Sequence, residues 1–172
     1  MTGQSLTFRI FKAIIALPVP VCIIIPFILL YLSGFQFGDF QLWRFLTGAV
    51  CLITGIVLAV MTVRLFYRLG NGTPAPWDPT TKMIVAGPYA HVRNPMITGV
   101  VLILAGEALM LSSLAIGIWA VVFVIINMLY LPLSEEAGLR KRFGKEYDEY
   151  CKNVPRYIPR LTPWKPKTTK NT

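Results

Sequence analysis

The 172-residue chain has little of what water-soluble enzymes use to build their sites. It holds one histidine, His91, so a cluster of histidine metal ligands is excluded and any Ser-His-Asp arrangement would have to use that residue. Its three cysteines, Cys22, Cys51 and Cys151, offer no C-x-x-C pair and no even-numbered disulfide framework. Neither G-x-G-x-x-G nor G-x-x-x-x-G-K-[ST] occurs, which removes the Rossmann turn and the P-loop as ways of holding a nucleotide. Charge is scarce at 15% of residues, and acidic charge scarcer still, with 8 Asp and Glu against 17 Lys and Arg.

What is present is apolar. Hydrophobic residues make up 55% of the chain, and the mean hydropathy of +0.59 excludes an ordinary soluble domain. Residues 13–32 and 45–63 carry no charge, and residues 96–133 carry one, Glu107. A bilayer-spanning helix needs about 20 residues, so the first two runs predict one span each, and the third predicts two, turned at Leu111-Ser112-Ser113-Leu114. The expected fold is all-α: a polytopic membrane protein of about four transmembrane helices, including a helical hairpin in its C-terminal half. The first run is longer than a secretory h-region, is interrupted by Pro18, Pro20 and Pro26 and lacks an A-x-A-like exit, so it reads as a retained, bent span.

One membrane domain is expected over 1–172. It comprises two N-terminal spans (1–69), a cytoplasmic loop (70–95), the hairpin (96–133), a cytoplasmic helix and extended segment (134–163) and a polar, disordered tail (164–172). Of the 17 basic residues only Arg44 falls on the minor side of this topology, which predicts both termini in the cytoplasm, in an inner membrane. The net charge of +9 then suits anionic headgroups, and nucleic-acid binding is not expected. Gly48 and Gly55, like Gly99 and Gly106, are seven residues apart, so each pair marks a face where helices approach closely. Residues 70–79 are turn formers, and Trp77 and Tyr89 are expected at the membrane interface. Over 135–150, Leu139, Phe143, Tyr147 and Tyr150 recur at helical spacing, predicting one amphipathic helix on the headgroups.

The chemistry-bearing residues lie at that boundary. Arg93 precedes Asn94-Pro95, and Pro95 suits the first turn of a helix, so the guanidinium would sit near backbone N–H groups that also favour an anion. Glu135 and Glu136 follow the hairpin on the same side, pointing about 100° apart, so that one can face a ligand while the other pairs with an arginine or a capping amide. A ligand carrying both an ammonium and a carboxylate would fit between them. Glu107 lies about 21 Å along the helix from Arg93, with Asn127 its expected partner; a structural role and a contact to substrate or proton are both open. No metal site is expected.

The ordered series Gly87-Pro88-Tyr89-x-x-x-Arg93-Asn94-Pro95, hairpin, Glu135-Glu136-x-x-Leu139-x-x-x-Phe143-Gly144-x-x-Tyr147-x-x-Tyr150-x-x-x-Val154-Pro155-Arg156 resembles the isoprenylcysteine carboxyl methyltransferase and phospholipid methyltransferase superfamily, in its minimal prokaryotic form. The resemblance implies an integral membrane enzyme with S-adenosylmethionine (AdoMet) held near Tyr89, His91, Arg93, Asn94, Pro95, Glu135 and Glu136, and a lipophilic acceptor, an isoprenylcysteine-like carboxylate or a lipid amine, entering from the bilayer. Arg93 and Glu107 are the candidate catalytic residues, and His91 or Glu107 the candidate base for an amine. Asn94 stands where the carboxyl methyltransferases commonly carry histidine, and Ile97 where a tyrosine often follows. The alternatives are an NADPH-dependent reductase, since membrane sterol reductases resemble the superfamily at the cofactor region, and a non-catalytic binding or transport protein that depends on Glu107.

Overall fold

A computed structural model describes residues 5–16, 18–36, 40–70, 73, 78 and 80–166, and among them there is helix but no strand. The helices are α1 (Leu6–Ala16), α2 (Ile25–Leu32), α3 (Leu42–Leu65), α4 (Pro95–Met110), α5 (Leu114–Tyr130), α6 (Glu136–Phe143) and α7 (Lys145–Asn153). Three wider, π-helical turns, Pro20–Ile24, Phe66–Gly70 and Leu131–Glu135, extend α2, α3 and α5. Trp77 and residues 167–172 lie outside the described residues.

Two helices are long and apolar enough to cross a membrane, Leu42–Gly70 and Leu114–Phe143. The other two apolar segments, Pro20–Leu32 and Pro95–Met110, are shorter. The 16 residues of α4 give about 24 Å against a hydrocarbon core of about 30 Å, so the first half of the hairpin lies at the short end of the spanning range. The outer faces of α3 and α5 are apolar and exposed, as at Ile53, Val57, Val121 and Ile125, which is the pattern of a surface solvated by lipid. The chain is a helical membrane protein.

The small residues of α3 and α4 meet as their spacing predicts. A Cβ on Gly48 would stand 2.8 Å from the carbonyl oxygen of Gly106, and one on Gly55 2.6 Å from that of Gly99. The contacts are reciprocal, so two antiparallel helices touch backbone to backbone at two levels. The turn between α4 and α5 is closed by Ser112 in a left-handed conformation (φ 49°) and by Ser113, whose hydroxyl accepts a hydrogen bond from Ile116 N at 3.4 Å.

The bend of the first run has an identifiable cause. In the π turn Ile25 N donates to Pro20 O, so the next carbonyl, that of Val21, falls opposite Pro26, which has no N–H. Trp119 of α5 supplies the missing donor, its Nε1 donating to Val21 O at 3.0 Å. Left unpaired in an apolar surrounding, that carbonyl would cost about 1–3 kcal/mol.

The expected helix over 135–150 is broken. Gly144 adopts φ 53° and ψ −127°, a conformation open to glycine, and separates α6 from α7. Its apolar stripe faces protein instead of headgroups: Tyr147 and Tyr150 are buried against Met83, Val85, Leu139, Phe143 and Trp164. Arg140 and Asp148 bridge the break on the exposed side, at 2.7 Å.

Candidate functional site

Gly87 takes a left-handed conformation (φ 54°) and starts a single 3-10 turn, Gly87–Ala90, that turns the chain toward α4. The segment after it has few internal hydrogen bonds, and residues 155–164 supply what it lacks. Arg93 N donates to Pro155 O at 2.9 Å, Arg160 N to His91 O at 3.0 Å, and Trp164 N to Ala90 O at 2.9 Å. The Tyr150 hydroxyl donates to Tyr89 O at 2.7 Å. Burial pushes the Tyr150 phenol up from its ordinary range, so at neutral pH it stays a donor. Burial, with the nearby Glu135 charge, likewise raises the phenol of Tyr89.

Arg93 and Glu136 meet directly. The guanidinium Nη1 lies 3.0 Å from Glu136 Oε1 and 3.1 Å from Cys151 Sγ. Glu136 is 5% exposed. On its other side Arg156 binds both carboxylate oxygens, Nε to Oε1 and Nη2 to Oε2, at 2.7 Å each. Two guanidinium groups on one carboxylate leave a net positive charge, and the bond to Glu136 raises the Arg156 pKa further above its ordinary value. Glu136 is therefore saturated by protein. Glu135, one residue earlier and about 100° around the helix, lines a cavity instead.

That cavity has a volume of about 570 Å³. At one end its wall carries Arg93, Asn94, Glu135, Arg142 and Tyr147; at the other it is formed by Val21, Ile97, Val100 and Phe123, from the first apolar run, α4 and α5. Pro95 opens α4, where a missing N–H costs nothing. Asn94 caps that helix by position only, since its side chain makes no capping bond. Asn94 Nδ2 and Arg93 Nε are both buried donors without a partner, adjacent in sequence at the start of α4. Two unmet donors at a helix N-terminus, with the Glu135 carboxylate lining the same cavity, can receive a zwitterion.

Of the residues expected at a site, Tyr89, Arg93, Asn94 and Glu135 line this cavity, while His91, Pro95, Glu136 and Glu107 do not. His91 instead donates from Nδ1 to Arg160 O at 2.8 Å, which makes it part of the attachment of residues 155–164. Glu107 lies deep in α4 with one carboxyl oxygen buried and unpartnered. Asn127 is not its partner: the amide nitrogen donates to Phe123 O at 2.8 Å, one turn back on its own helix. Tyr89 is packed edge-on against Phe66, ring centroids 5.9 Å apart. Arg156, Arg142 and Tyr147 were not among the expected site residues, although Arg156 closes the quoted Val154-Pro155-Arg156 motif.

A model of the phospholipid methyltransferase family matches residues 43–146, more than half of the chain. The match runs from the start of α3 through the Gly87–Ala90 turn, the hairpin and α6, and so includes every cavity-lining side chain named above except Val21 and Tyr147. No curated protein and no solved structure matches the chain. With helices apolar enough to cross a membrane and a match of that extent, the chain belongs to the phospholipid methyltransferase family of membrane methyltransferases.

Proposed function

We propose that the protein transfers a methyl group from AdoMet to a lipophilic acceptor, with the donor's polar end at the ionic end of the cavity and the acceptor reaching the apolar end from the bilayer. The observation that carries this reading is the cavity's mixed lining: buried, unmet donors on Arg93 and Asn94 together with the Glu135 carboxylate near the start of α4, and apolar helix faces further along it. The volume, about 570 Å³, falls within the usual range of about 300–1,000 Å³ for small-molecule sites. AdoMet, when bound, supplies an electrophilic methyl on a sulfonium, so no protein nucleophile is needed. Arg93 and Asn94 would hold a carboxylate, Glu135 an ammonium, and the apolar wall would keep water from the reacting atoms.

The binding test uses purified protein in detergent and the demethylated product, S-adenosylhomocysteine. Arg93→Ala and Glu135→Gln should each weaken its binding by about 1.5–3 kcal/mol, the worth of a charge-assisted hydrogen bond. Arg93→Ala leaves Glu136 paired with Arg156, so the fold survives the change. Parent-like affinity in both variants would sink the site, and thermal stabilisation by NADPH but not by S-adenosylhomocysteine would replace the reaction class.

The ionic end of the cavity is proposed to face the cytoplasm of an inner membrane, with both ends of the chain on that side, because nearly all basic residues fall on one side of the topology expected from the sequence. Reporter fusions to either end should signal a cytoplasmic location; a signal from outside at one end would overturn the orientation.

A further inference from the structure

Arg156 is set beside Arg93 by the backbone. Arg93 N donates to Pro155 O at 2.9 Å, and Val154, 1% exposed, is packed with Tyr147 and Tyr150, so the residue after Pro155 has little choice of position. Two guanidinium groups are thereby held against one carboxylate. For the burial of Glu136 alone the second is not required, because Arg93 already pairs with it. The bonds are divided unequally. Arg156 takes both oxygens, Nε to Oε1 and Nη2 to Oε2, at 2.7 Å each, in the fork geometry that matches a carboxylate. Arg93 reaches only the shared oxygen, Oε1, through Nη1 at 3.0 Å, and its Nε is buried without a partner. Arg93 lines the cavity and Arg156 does not.

We infer that Arg156 is a positioning residue for the carboxylate of the cofactor: it takes up the charge of Glu136, so that Arg93, held in place by the same Glu136, keeps its own positive charge for the ligand. The inference rests on the AdoMet reading above and extends it to a residue outside the cavity wall. Without Arg156, Oε2 and the second lone pair of Oε1 would be released, and Glu136 would take Arg93 in a fork of its own. An internal carboxylate would then compete with that of the ligand, and attraction for an anion would fall with no contact to the ligand lost. A lysine at this position keeps the charge and so keeps Glu136 occupied. A merely structural role would instead weaken every ligand of the cavity alike.

The test is calorimetry on detergent-solubilised protein with two ligands, S-adenosylhomocysteine and its decarboxylated analogue, which differ only by the carboxylate. The parent should prefer S-adenosylhomocysteine by about tenfold or more, as one charge-assisted hydrogen bond implies. Arg156→Gln should lose most of that preference through weaker binding of S-adenosylhomocysteine, with the analogue bound as by the parent. Arg156→Met is the second neutral variant, read in the same way should the first fail to fold. Arg156→Lys should keep the preference to within about threefold, because it keeps the charge. Equal weakening of the two ligands, a preference unchanged in the neutral variants, or one lost as fully in Arg156→Lys as in Arg156→Gln overturns the proposal. A parent with no preference overturns it too, by showing that Arg93 does not hold the carboxylate. A parent that binds neither ligand defeats the AdoMet reading itself.

Discussion

Replacing Glu136 by alanine should destabilise the protein by about 3 kcal/mol, near the lower end of the cost of leaving a buried charge unpaired, and should abolish S-adenosylhomocysteine binding as well. Among the described residues the carboxylate is the sole acidic partner of both Arg93 and Arg156, and removing it sets two like charges against each other. Arg156, with 30% of its side chain exposed, can recover part of its hydration; Arg93, at 13%, cannot. Arg156→Ala leaves the Arg93–Glu136 pair intact and should cost less. The order is the diagnostic: Glu136→Ala more damaging to thermal stability than Arg156→Ala, and more than Glu135→Gln, which touches only the cavity. A Glu136→Ala protein that melts with the parent would show that the cluster contributes nothing to the fold.

The second large effect is expected at the contact of α3 with α4. Gly106→Val and Gly55→Val would each drive a side chain into a carbonyl of the facing helix, at 2.7 Å and 2.6 Å for the Cβ alone. Backbone cannot swing aside as a side chain can, so the cost should lie at the upper end of overpacking, about 3 kcal/mol. The helices would also part, and α4 carries Ile97 and Val100 of the cavity wall, with Asn94 just before it. Gly117→Ala in α5 is the control, because a Cβ there meets nothing within 4 Å. It should leave stability unchanged or raise it by up to about 1 kcal/mol through helix propensity. Thermal unfolding in detergent measures all three, and a Gly106→Val protein as stable as the parent would mean the two backbones are further apart than described.

These two sites also mark how far the sequence could be read. The glycine spacing was legible because seven residues is close to two helical turns, so a face repeats whatever the partner is. The meeting of Arg93 with the Glu135-Glu136 pair was legible from the hairpin, which returns the chain to the side it left. Arg156 as a second partner of Glu136 was not, since it arrives through an irregular segment with no period to follow. The break at Gly144 was hidden for the opposite reason: α6 and α7 bury side chains against the same stretch, so the apolar period runs on through a glycine that ends the helix. Asn127 was assigned across the hairpin to Glu107 because both are polar in an apolar setting, whereas an amide in a helix can satisfy its nitrogen one turn back without any tertiary partner.

The attachment of residues 155–164 to residues 90–93 sets an order of events during synthesis. His91 and Arg160, joined by two hydrogen bonds, are 69 positions apart, a distance that translation at about 5–20 residues per second covers in roughly 3–14 s. During that interval the hairpin can enter the membrane, but Glu136 has only Arg93 beside it, and the carbonyls of Ala90 and His91 have neither of the donors that later satisfy them. The segment that opens α4 is thus made early and completed late, so a nascent chain halted before residue 156 would already be anchored in the bilayer and still lack a finished site.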